Sequence, residues 1–301
     1  MKFQPLTVRV FKKILVPFAI FFTAVLLLDI CFPFKFNIPY STQILDQEGK
    51  IIHAFLSKDE KWRLHIDAQE IIPLLQTTLI HKEDKYFHYH FGINPFAILR
   101  AAGSNFLSGK RLSGASTITM QVVRLIQPNK RTYTNKIVEA WRAIQLELHY
   151  SKSEILQLYL NLVPYGGNIE GIKAASLLYF GKNPQLLSLG EITLLTIIPN
   201  RPSSLRPDGQ NVALKLARDQ WLSKFGSTQL FTQEMIDNAR DEPVTMYRRA
   251  APASAPHLAE RLRREYPNTH VLHTSLRSNI QHQIEEQVSN YIKPLRSLNI
   301  H

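Results

Sequence analysis

The sequence is poor in cysteine, glycine and acidic residues. Its only cysteine, Cys31, excludes an internal disulfide and a zinc site built on cysteines. With 12 glycines in 301 residues and 45% hydrophobic residues, the composition is that of a folded protein. The 24 acidic residues face 36 basic ones, so the formal net charge is +12. A positive field of this size suits nucleic acid, anionic lipid headgroups or a phosphorylated substrate.

Several catalytic motifs are also absent. The sequence contains neither Ser-x-x-Lys nor Lys-Thr-Gly, which excludes the acyl-serine chemistry of β-lactamase-type enzymes. A His-Glu-x-x-His zinc motif does not occur. The stretch Gly103 to Arg111 is not a phosphate loop, because its glycines are spaced wrongly and an arginine stands where magnesium needs Ser or Thr. Ser116 is not in a nucleophile elbow, because Ile118 occupies the position of the second glycine.

The N-terminus carries an apolar run over residues 14–32, preceded by Arg9, Lys12 and Lys13. A cleaved signal peptide is one interpretation, but no small-x-small cleavage site follows the run. We therefore expect an uncleaved transmembrane anchor at 14–32, with residues 1–13 as a cytoplasmic tail and the remainder outside. This location excludes nucleic acid as a partner and favours anionic lipid or a lipid-linked phosphate.

The rest of the chain is predicted to be mainly helical, with a small β element. Two apolar runs around Gln47–Lys50 predict a hairpin near 42–56. Helical periodicity then predicts helices at 68–88, 94–107, 116–126, 134–149, 152–162, 168–180, 188–198 and 209–225. Residues 243–256 have the composition of a linker, and one further helix is predicted at 277–293.

The stretch HKEDKYFHYHFG, His81 to Gly92, contains a candidate catalytic acid. If 71–88 is one helix, Glu83 falls in an apolar stripe with Ile72, Leu75, Leu79, Tyr86 and Phe87. A carboxylate in such a stripe would be partly desolvated, with a raised pKa, and could accept a proton near neutral pH. The alternative is a glutamate at a helix end that reaches solvent. A metal pair of His81 and His88, seven residues apart, is the less favoured interpretation of the histidines.

A second acid, Glu139, lies on the helix predicted at 134–149. There the buried stripe is predicted to comprise Ile137, Trp141, Ile144 and Leu148. Glu139 would then project from the opposite side, near Lys136 and Arg142. On its own this pattern favours a solvated face with weak ion pairs.

Four segments in order resemble the signatures of glycosyltransferase family 51, the peptidoglycan glycosyltransferases of class A penicillin-binding proteins. EDKYFHYHFG resembles the motif Glu-Asp-x-x-Phe-x-x-His-x-Gly, at Glu83, Asp84, Phe87, His90 and Gly92. GASTITMQ, NKIVE and KSEILQLYLN resemble the other three, and the similarity covers about residues 45–225. The tail from Ala255 resembles the junction into the transpeptidase domain of bifunctional members, and the chain stops where that domain would begin.

The resemblance implies a lysozyme-like glycosyltransferase domain over 33–230, on the periplasmic side of the bacterial inner membrane, with 231–301 as linker and start of a missing transpeptidase domain. It implies an inverting transfer in which lipid II is polymerised and undecaprenyl pyrophosphate leaves. Glu83 matches the general base and Glu139 the second essential glutamate. The implied substrate contacts are Ser116, Gln121, Arg124, Arg131, Lys136 and, as a weaker candidate, Lys152. The region 93–112 would insert partly into the bilayer interface, or else be a buried helix with a loop.

Three positions depart from the family pattern: Asn135 replaces an arginine, Met120 a glutamine, and Asn94 a common aspartate. Asn135 removes one cation beside Lys136, and the three changes together are expected to affect the strength of pyrophosphate binding. Two alternatives stay open: a catalytically impaired anchored remnant that binds lipid II or a synthase, and a lytic transglycosylase that cleaves glycan. No metal ligand and no certain cofactor is predicted, and a divalent cation, Mg²⁺ or Mn²⁺, is left open. The expected partners are lipid II, the growing glycan chain, membrane lipids and a separate transpeptidase.

Overall fold

The computed structural model of the protein describes residues 16–17, 20, 23–108, 116–130, 132–200, 205 and 212–297. The predicted cytoplasmic tail and parts of the predicted anchor at 14–32 lie outside these residues. Residues 23–31 are helical. Within the described part of the chain, no helix is both long enough and apolar enough to cross a membrane.

The protein is mainly helical, as the sequence predicts. The helices are α1 Pro73–Glu83, α2 Pro95–Ser108, α3 Ile118–Ile126, α4 Tyr133–His149, α5 Lys152–Leu162, α6 Ile172–Ala175, α7 Leu189–Ile197, α8 Val212–Ser227, α9 Gln233–Asp241, α10 Pro256–Glu265 and α11 Ser278–Ser297. The strands are β1 Gln43–Leu45, β2 Ile51–Ala54, β3 Pro164–Gly166, β4 Ile169–Glu170 and β5 Val271–His273.

Ser and Thr residues fix where several helices begin. The side chains of Thr117, Thr132 and Ser151 accept hydrogen bonds from backbone amides in the first turns of α3, α4 and α5. Ser151 and Ser188 each form a reciprocal capping box, with Glu154 and Glu191. These caps satisfy amides that have no partner inside the helix, and they explain why the predicted starts at 116, 134, 152 and 188 were accurate to within two residues.

Helix α7 lies at the centre of the fold. Eight of its residues are buried, so it has no polar face, which is typical of a helix surrounded by others. It packs against α1, α8 and α9, while α3 packs against α4 and α5. The core therefore holds the C-terminal end of α1 between these two groups of helices.

The predicted helix 68–88 is not continuous. A short 3₁₀ turn at Ala68–Glu70 precedes α1, which ends at Glu83, and a second 3₁₀ turn follows at Phe87–Tyr89. Tyr86 is therefore 53% exposed and does not continue the apolar stripe, whereas Phe87 is fully buried. The predicted helix 168–180 is likewise divided into β4, the short α6 and a π-helical turn at Ser176–Phe180.

Both ends of the described chain build one small sheet. The predicted hairpin is present as β1 and β2, and β5 adds to β1 in parallel to give a sheet of order β2-β1-β5. Residues 243–256 pack along this sheet: the amide of Ala54 donates to the carbonyl of Pro252, and that of Ser254 to Ile52. Helices α9 and α10, between 231 and 265, were not predicted from the sequence.

Candidate active site

Glu83 is the last residue of α1, and its side chain is only 9% exposed. The helix ends here because the next residue, Asp84, leaves the helical conformation with φ −159° and ψ 75°. Oε1 of Glu83 accepts hydrogen bonds from Lys82 Nζ and, at 3.1 Å, from Asn200 Nδ2. Oε2 accepts one from Gln121 Nε2 at 3.3 Å. The carboxylate is thus held in one orientation by donors from three parts of the chain.

Two buried tyrosines lie within electrostatic range of Glu83. Tyr159 of α5 and Tyr165 of β3 are each 2% exposed. Burial, and after it the negative charge of Glu83, raises the pKa of both hydroxyls well above 10. They therefore remain neutral at any physiological pH, and they add no charge near the carboxylate.

The turn after Glu83 is fixed by Asp84. This buried carboxylate accepts hydrogen bonds from the backbone amide of Ile118 at 3.0 Å and from His90 Nε2 at 2.9 Å. Thr117, which caps α3, donates to the carbonyl of Gly92 at 2.6 Å. These bonds join the turn to the beginning of α3, because an anionic acceptor is favourable at a helix N-terminus.

A group of cations surrounds Glu139 on the first turns of α4. Lys136 Nζ lies 2.8 Å from Glu139 Oε1 and 2.9 Å from Ser116 Oγ. Arg124 Nη1 of α3 lies 3.8 Å from the same glutamate oxygen. The Glu139 side chain is 14% exposed, whereas those of Lys136 and Arg124 are 40% and 35% exposed. Glu139 thus holds two cations whose heads remain accessible to an anionic ligand.

Helix α3 connects the two glutamates. Gln121 contacts Glu83, and Arg124, one turn further along the same face, contacts Glu139. Six of the predicted site residues are therefore joined through α3: Glu83, Ser116, Gln121, Arg124, Lys136 and Glu139. Arg131 lies outside the described residues.

The predicted orientation of α4 is wrong. Ile137, assigned to the buried stripe, is 71% exposed, and the buried residues are Ala143, Gln145 and Leu146. Ala143 is four residues from Glu139, so Glu139 lies on the inward face and not opposite to it. The prediction failed because Tyr133, Ile137 and Val138 are apolar and yet point outward at the N-terminal end of this helix.

Lys152 lies away from this chain of contacts. Its ammonium is 2.7 Å from Glu147 Oε1 and 2.7 Å from the carbonyl of His90, above the ring of Phe87. It therefore stabilises the turn after Glu83 through its contacts with His90 and Phe87. Its role as a substrate contact stays a prediction.

The departures from the family pattern have structural explanations. Met120 is 2% exposed and packs with Val123 and Ala143, so its side chain does not face Glu83. Asn94 Oδ1 accepts a hydrogen bond from the amide of Ala97 in the first turn of α2, a role that aspartate also fills. Asn135 Nδ2 donates to the carbonyl of Lys130 and supplies no charge.

The histidines of the stretch His81 to Gly92 do not form a metal site. His81 contacts Thr228 and the ring of Phe225, His88 is exposed, and His90 pairs with Asp84. Over the part of the chain that the structure describes, no group of three or more His, Cys, Asp or Glu could hold a metal ion.

Sequence analysis missed Asn200 and Lys82, both of which contact Glu83. Asn200 is 117 positions away in the sequence, and no local pattern identifies such a contact. Lys82 could have been found, because Leu75, Thr78 and Leu79, its neighbours on one face of α1, are all buried. A lysine that continues a buried face calls for a charged partner.

Known proteins resemble this chain over most of its length. A family model described as Transglycosylase matches residues 48–225. Penicillin-binding protein 1C of Escherichia coli (strain K12) is 38% identical over 248 residues, 82% of this chain and 32% of that protein. Penicillin-binding protein 1A of the same organism is 32% identical, over 83% of this chain and 30% of that protein. The chain thus spans less than a third of the length of these relatives.

Among solved structures, penicillin-binding protein 1A from Haemophilus influenzae aligns with 81% of this chain and 28% of its own, at 18% identity. The TM-score of 0.40 is below the level at which two folds are taken to be the same.

Proposed function

Because this chain belongs to the transglycosylase family, we propose that it is a peptidoglycan glycosyltransferase that polymerises lipid II into glycan strands. In this reaction the acceptor's 4-hydroxyl attacks the anomeric carbon of the growing chain, and undecaprenyl pyrophosphate leaves with inversion. The reaction needs a base for the hydroxyl proton and cations for the leaving pyrophosphate. The observation that carries the proposal is the chain of contacts through α3, since it joins a nearly buried carboxylate to a group of accessible cations.

Glu83 is the proposed base. Its carboxylate accepts hydrogen bonds from Gln121 and Asn200, and the buried hydroxyls of Tyr159 and Tyr165 stay neutral. Oε1 already accepts two donors and Oε2 only one, among the described residues, so Oε2 has more free capacity to accept the proton. As the acceptor oxygen bonds to the anomeric carbon, its proton passes to Glu83. The bond between the anomeric carbon and the pyrophosphate oxygen breaks at the same time, and the pyrophosphate leaves with the electron pair of that bond.

Lys136 and Arg124 are the proposed contacts of the pyrophosphate. Glu139 and Ser116 hold the Lys136 ammonium from one side, so that its exposed side can meet the developing negative charge. A fixed cation of this kind stabilises a leaving group without reorganisation during the reaction. Arg131 is proposed to add a further cation. Glu139 would act by orienting these cations rather than by accepting a proton.

We propose that the protein works at the outer face of the bacterial inner membrane, held by the anchor at 14–32. Large apolar side chains are exposed on α2 and in the turn after Glu83: Phe96 is 83% exposed, Leu99 70%, and Tyr89 86%. Exposed apolar residues on α2 and beside it support partial insertion in the bilayer interface, next to a lipid-linked substrate. The net charge of +12 suits both an anionic membrane surface and a pyrophosphate.

The test uses the full chain in detergent with labelled lipid-linked disaccharide-peptide. We expect polymer from the wild type, and a loss of at least ~100-fold in rate for Glu83→Gln, since a positioned base contributes that much or more. Glu48→Gln, which changes an exposed glutamate in the hairpin turn, is the matched control and should polymerise at the wild-type rate. Polymer at an unchanged rate from Glu83→Gln would refute the role of Glu83. A folded wild type that binds the substrate without polymerising it would instead support an impaired remnant.

A further inference from the structure

Lys82 is a buried lysine next to the proposed base. Its side chain is only 2% exposed, and its ammonium contacts Oε1 of Glu83. A buried ammonium is costly unless it is paired, and across the described residues Glu83 is its only acidic partner within ion-pair distance. The family motif found in the sequence begins at Glu83, so it does not account for this lysine.

Trp221 of α8 fixes the position of the Lys82 side chain. The Lys82 ammonium lies 5.3 Å from the centroid of the Trp221 ring, within the range of a cation–π contact. Lys224 Nζ lies 4.3 Å from the same centroid. Lys82 is therefore held between an aromatic ring and a carboxylate, with almost no contact with solvent.

The other groups around Glu83 cannot replace the charge of Lys82. Gln121 and Asn200 donate through neutral amides. Tyr159 and Tyr165 are neutral, because burial and the charge of Glu83 raise their pKa values. The charge of Arg124 acts in the opposite direction on the pKa of Tyr159, but Arg124 is paired with Glu139. Lys82 is thus the one cation in direct contact with the Glu83 carboxylate among the described residues.

We propose that Lys82 is a positioning residue for Glu83: its charge pairs with the carboxylate at Oε1 and turns Oε2 toward the acceptor hydroxyl. The proposal rests on the proposed function of Glu83 as base. Lys82 keeps its own protons throughout, and because it is buried it does not touch the substrate.

The first test measures the Glu83 carboxylate directly, without catalysis. The full chain is labelled with ¹³C at the glutamate side-chain carboxyl carbon, and the Glu83 signal is assigned by its absence in Glu83→Gln. Lys82→Gln retains a donor but removes the charge, Lys82→Arg retains the charge, and Lys85→Gln changes an exposed lysine two residues from Glu83. We expect the titration midpoint of Glu83 to rise in Lys82→Gln, because the carboxylate loses the cation in contact with it, and to stay unchanged in the other two. An unchanged midpoint in a folded Lys82→Gln variant would overturn the proposal.

The second test measures polymerisation against pH. In Lys82→Gln the acidic limb of kcat should move upward by a similar amount, with recovery at higher pH and a KM within twofold of the wild type. A KM raised at every pH would make Lys82 a substrate contact, and a uniform loss of kcat without a shift would make it merely structural. Either result overturns the proposal. If the wild type forms no polymer, the proposed function fails, and the titration of Glu83 still decides the role of Lys82.

Discussion

Two glycines, one in the turn after Glu83 and one in α2, should respond oppositely to the same added methyl group. Gly92, at the end of the turn after Glu83, has φ +74°, and a Cβ there would lie 2.7 Å from the carbonyl oxygen of Ala143. Gly103 is helical, and a Cβ there would meet nothing within 4 Å. We expect Gly92→Ala to lower the free energy of unfolding by at least about 2 kcal/mol, because it combines a clash with a left-handed backbone. Gly103→Ala should raise it by up to ~1 kcal/mol.

Chemical denaturation of both variants measures these effects. Gly92→Ala should also lose polymerisation activity, since the turn at Gly92 is joined to the cap of α3 through Thr117. Equal stabilities of the two variants would show that the turn tolerates a side chain at position 92.

A single variant tests whether Lys152 stabilises the fold or binds the substrate. Its ion pair with Glu147 is mostly shielded, with side-chain exposures of 23% and 4%. Lys152→Met should therefore cost about 2 kcal/mol of stability, the usual value for hydrogen bonds to a charged group. We expect kcat to fall while KM stays within twofold, because the turn that bears Glu83 loses support.

Lys182→Met is the control for Lys152. Lys182 makes an ion pair of the same length, 2.7 Å, with Glu191, but its side chain is 44% exposed. Exposed pairs contribute little, so a loss below about 1 kcal/mol is expected. A several-fold rise of KM in Lys152→Met would instead favour the predicted substrate contact.

At the scale of secondary-structure elements, three rings connect the segment before β1 to the residue that precedes β5. The ring of Tyr40 lies 4.8 Å from that of His65 and 5.8 Å from that of His270. Burial lowers the pKa of both histidines below 6.5, and it raises the pKa of Tyr40 to about 12. The amide of Gln43 donates to the carbonyl of His270, so this group lies where β1 meets β5.

The stability of the fold should therefore decrease as the pH falls below about 6.5. In the unfolded chain a histidine titrates near 6.5 and takes up a proton that the folded chain does not bind, so protonation favours unfolding. Thermal unfolding at pH 7 and pH 5.5 should show a smaller drop in Tm for the double variant His65→Asn, His270→Asn than for the wild type. Identical drops would refute this role.

Buried acids act in a separate pH window. Burial would raise the pKa of Asp46, but hydrogen bonds from Ser278 and from backbone amides outweigh burial and lower it. The stability that Asp46 contributes is present above pH 3.8 and is lost only below that value. The change between pH 7 and pH 5.5 is thus assigned to the histidines.

The helices next to the site could be predicted from the sequence because their signals are local. Apolar spacing predicted α3, α4 and α5 to within two residues at each end, and the capping residues that fix where they begin are local as well. The orientation of α4 could not be predicted, because Ile137 and Val138 are exposed on a face that hydropathy alone would bury. The parallel pairing of β5 with β1 was equally inaccessible, since it joins residues more than 220 positions apart.

The same distinction applies to the site. Glu83 was found from its place in an apolar line, and the ordered motifs identified Glu139, Gln121 and Lys136. Asn200 and the packing of Trp221 on Lys82 depend on long-range contacts that no motif encodes. The sequence therefore predicted the members of the candidate site, and the fold determines how each carboxylate is held.

At the scale of the whole molecule, the two ends of the described chain stabilise each other. Alternation along the strands places Leu45 and Ile51 in the main core, while Ile44 and Ile52 pack on Ala259 of α10.

Ile44 is 0% exposed, so Ile44→Ala should lower the free energy of unfolding by about 2–5 kcal/mol through the cavity that it leaves. Ile44 belongs, with Ile52 and Ala259, to a hydrophobic cluster separate from the main core among the described residues, so kcat at low temperature should equal that of the wild type. Leu216→Ala, at a position 60% exposed on α8, is the control and should stay within about 0.5 kcal/mol. Denaturant titration together with single-turnover polymerisation separates the two effects. A loss of kcat in a fully folded Ile44→Ala variant would show that the sheet affects the arrangement of the candidate site. An unchanged stability would show that the packing of the sheet on α10 contributes nothing to the fold.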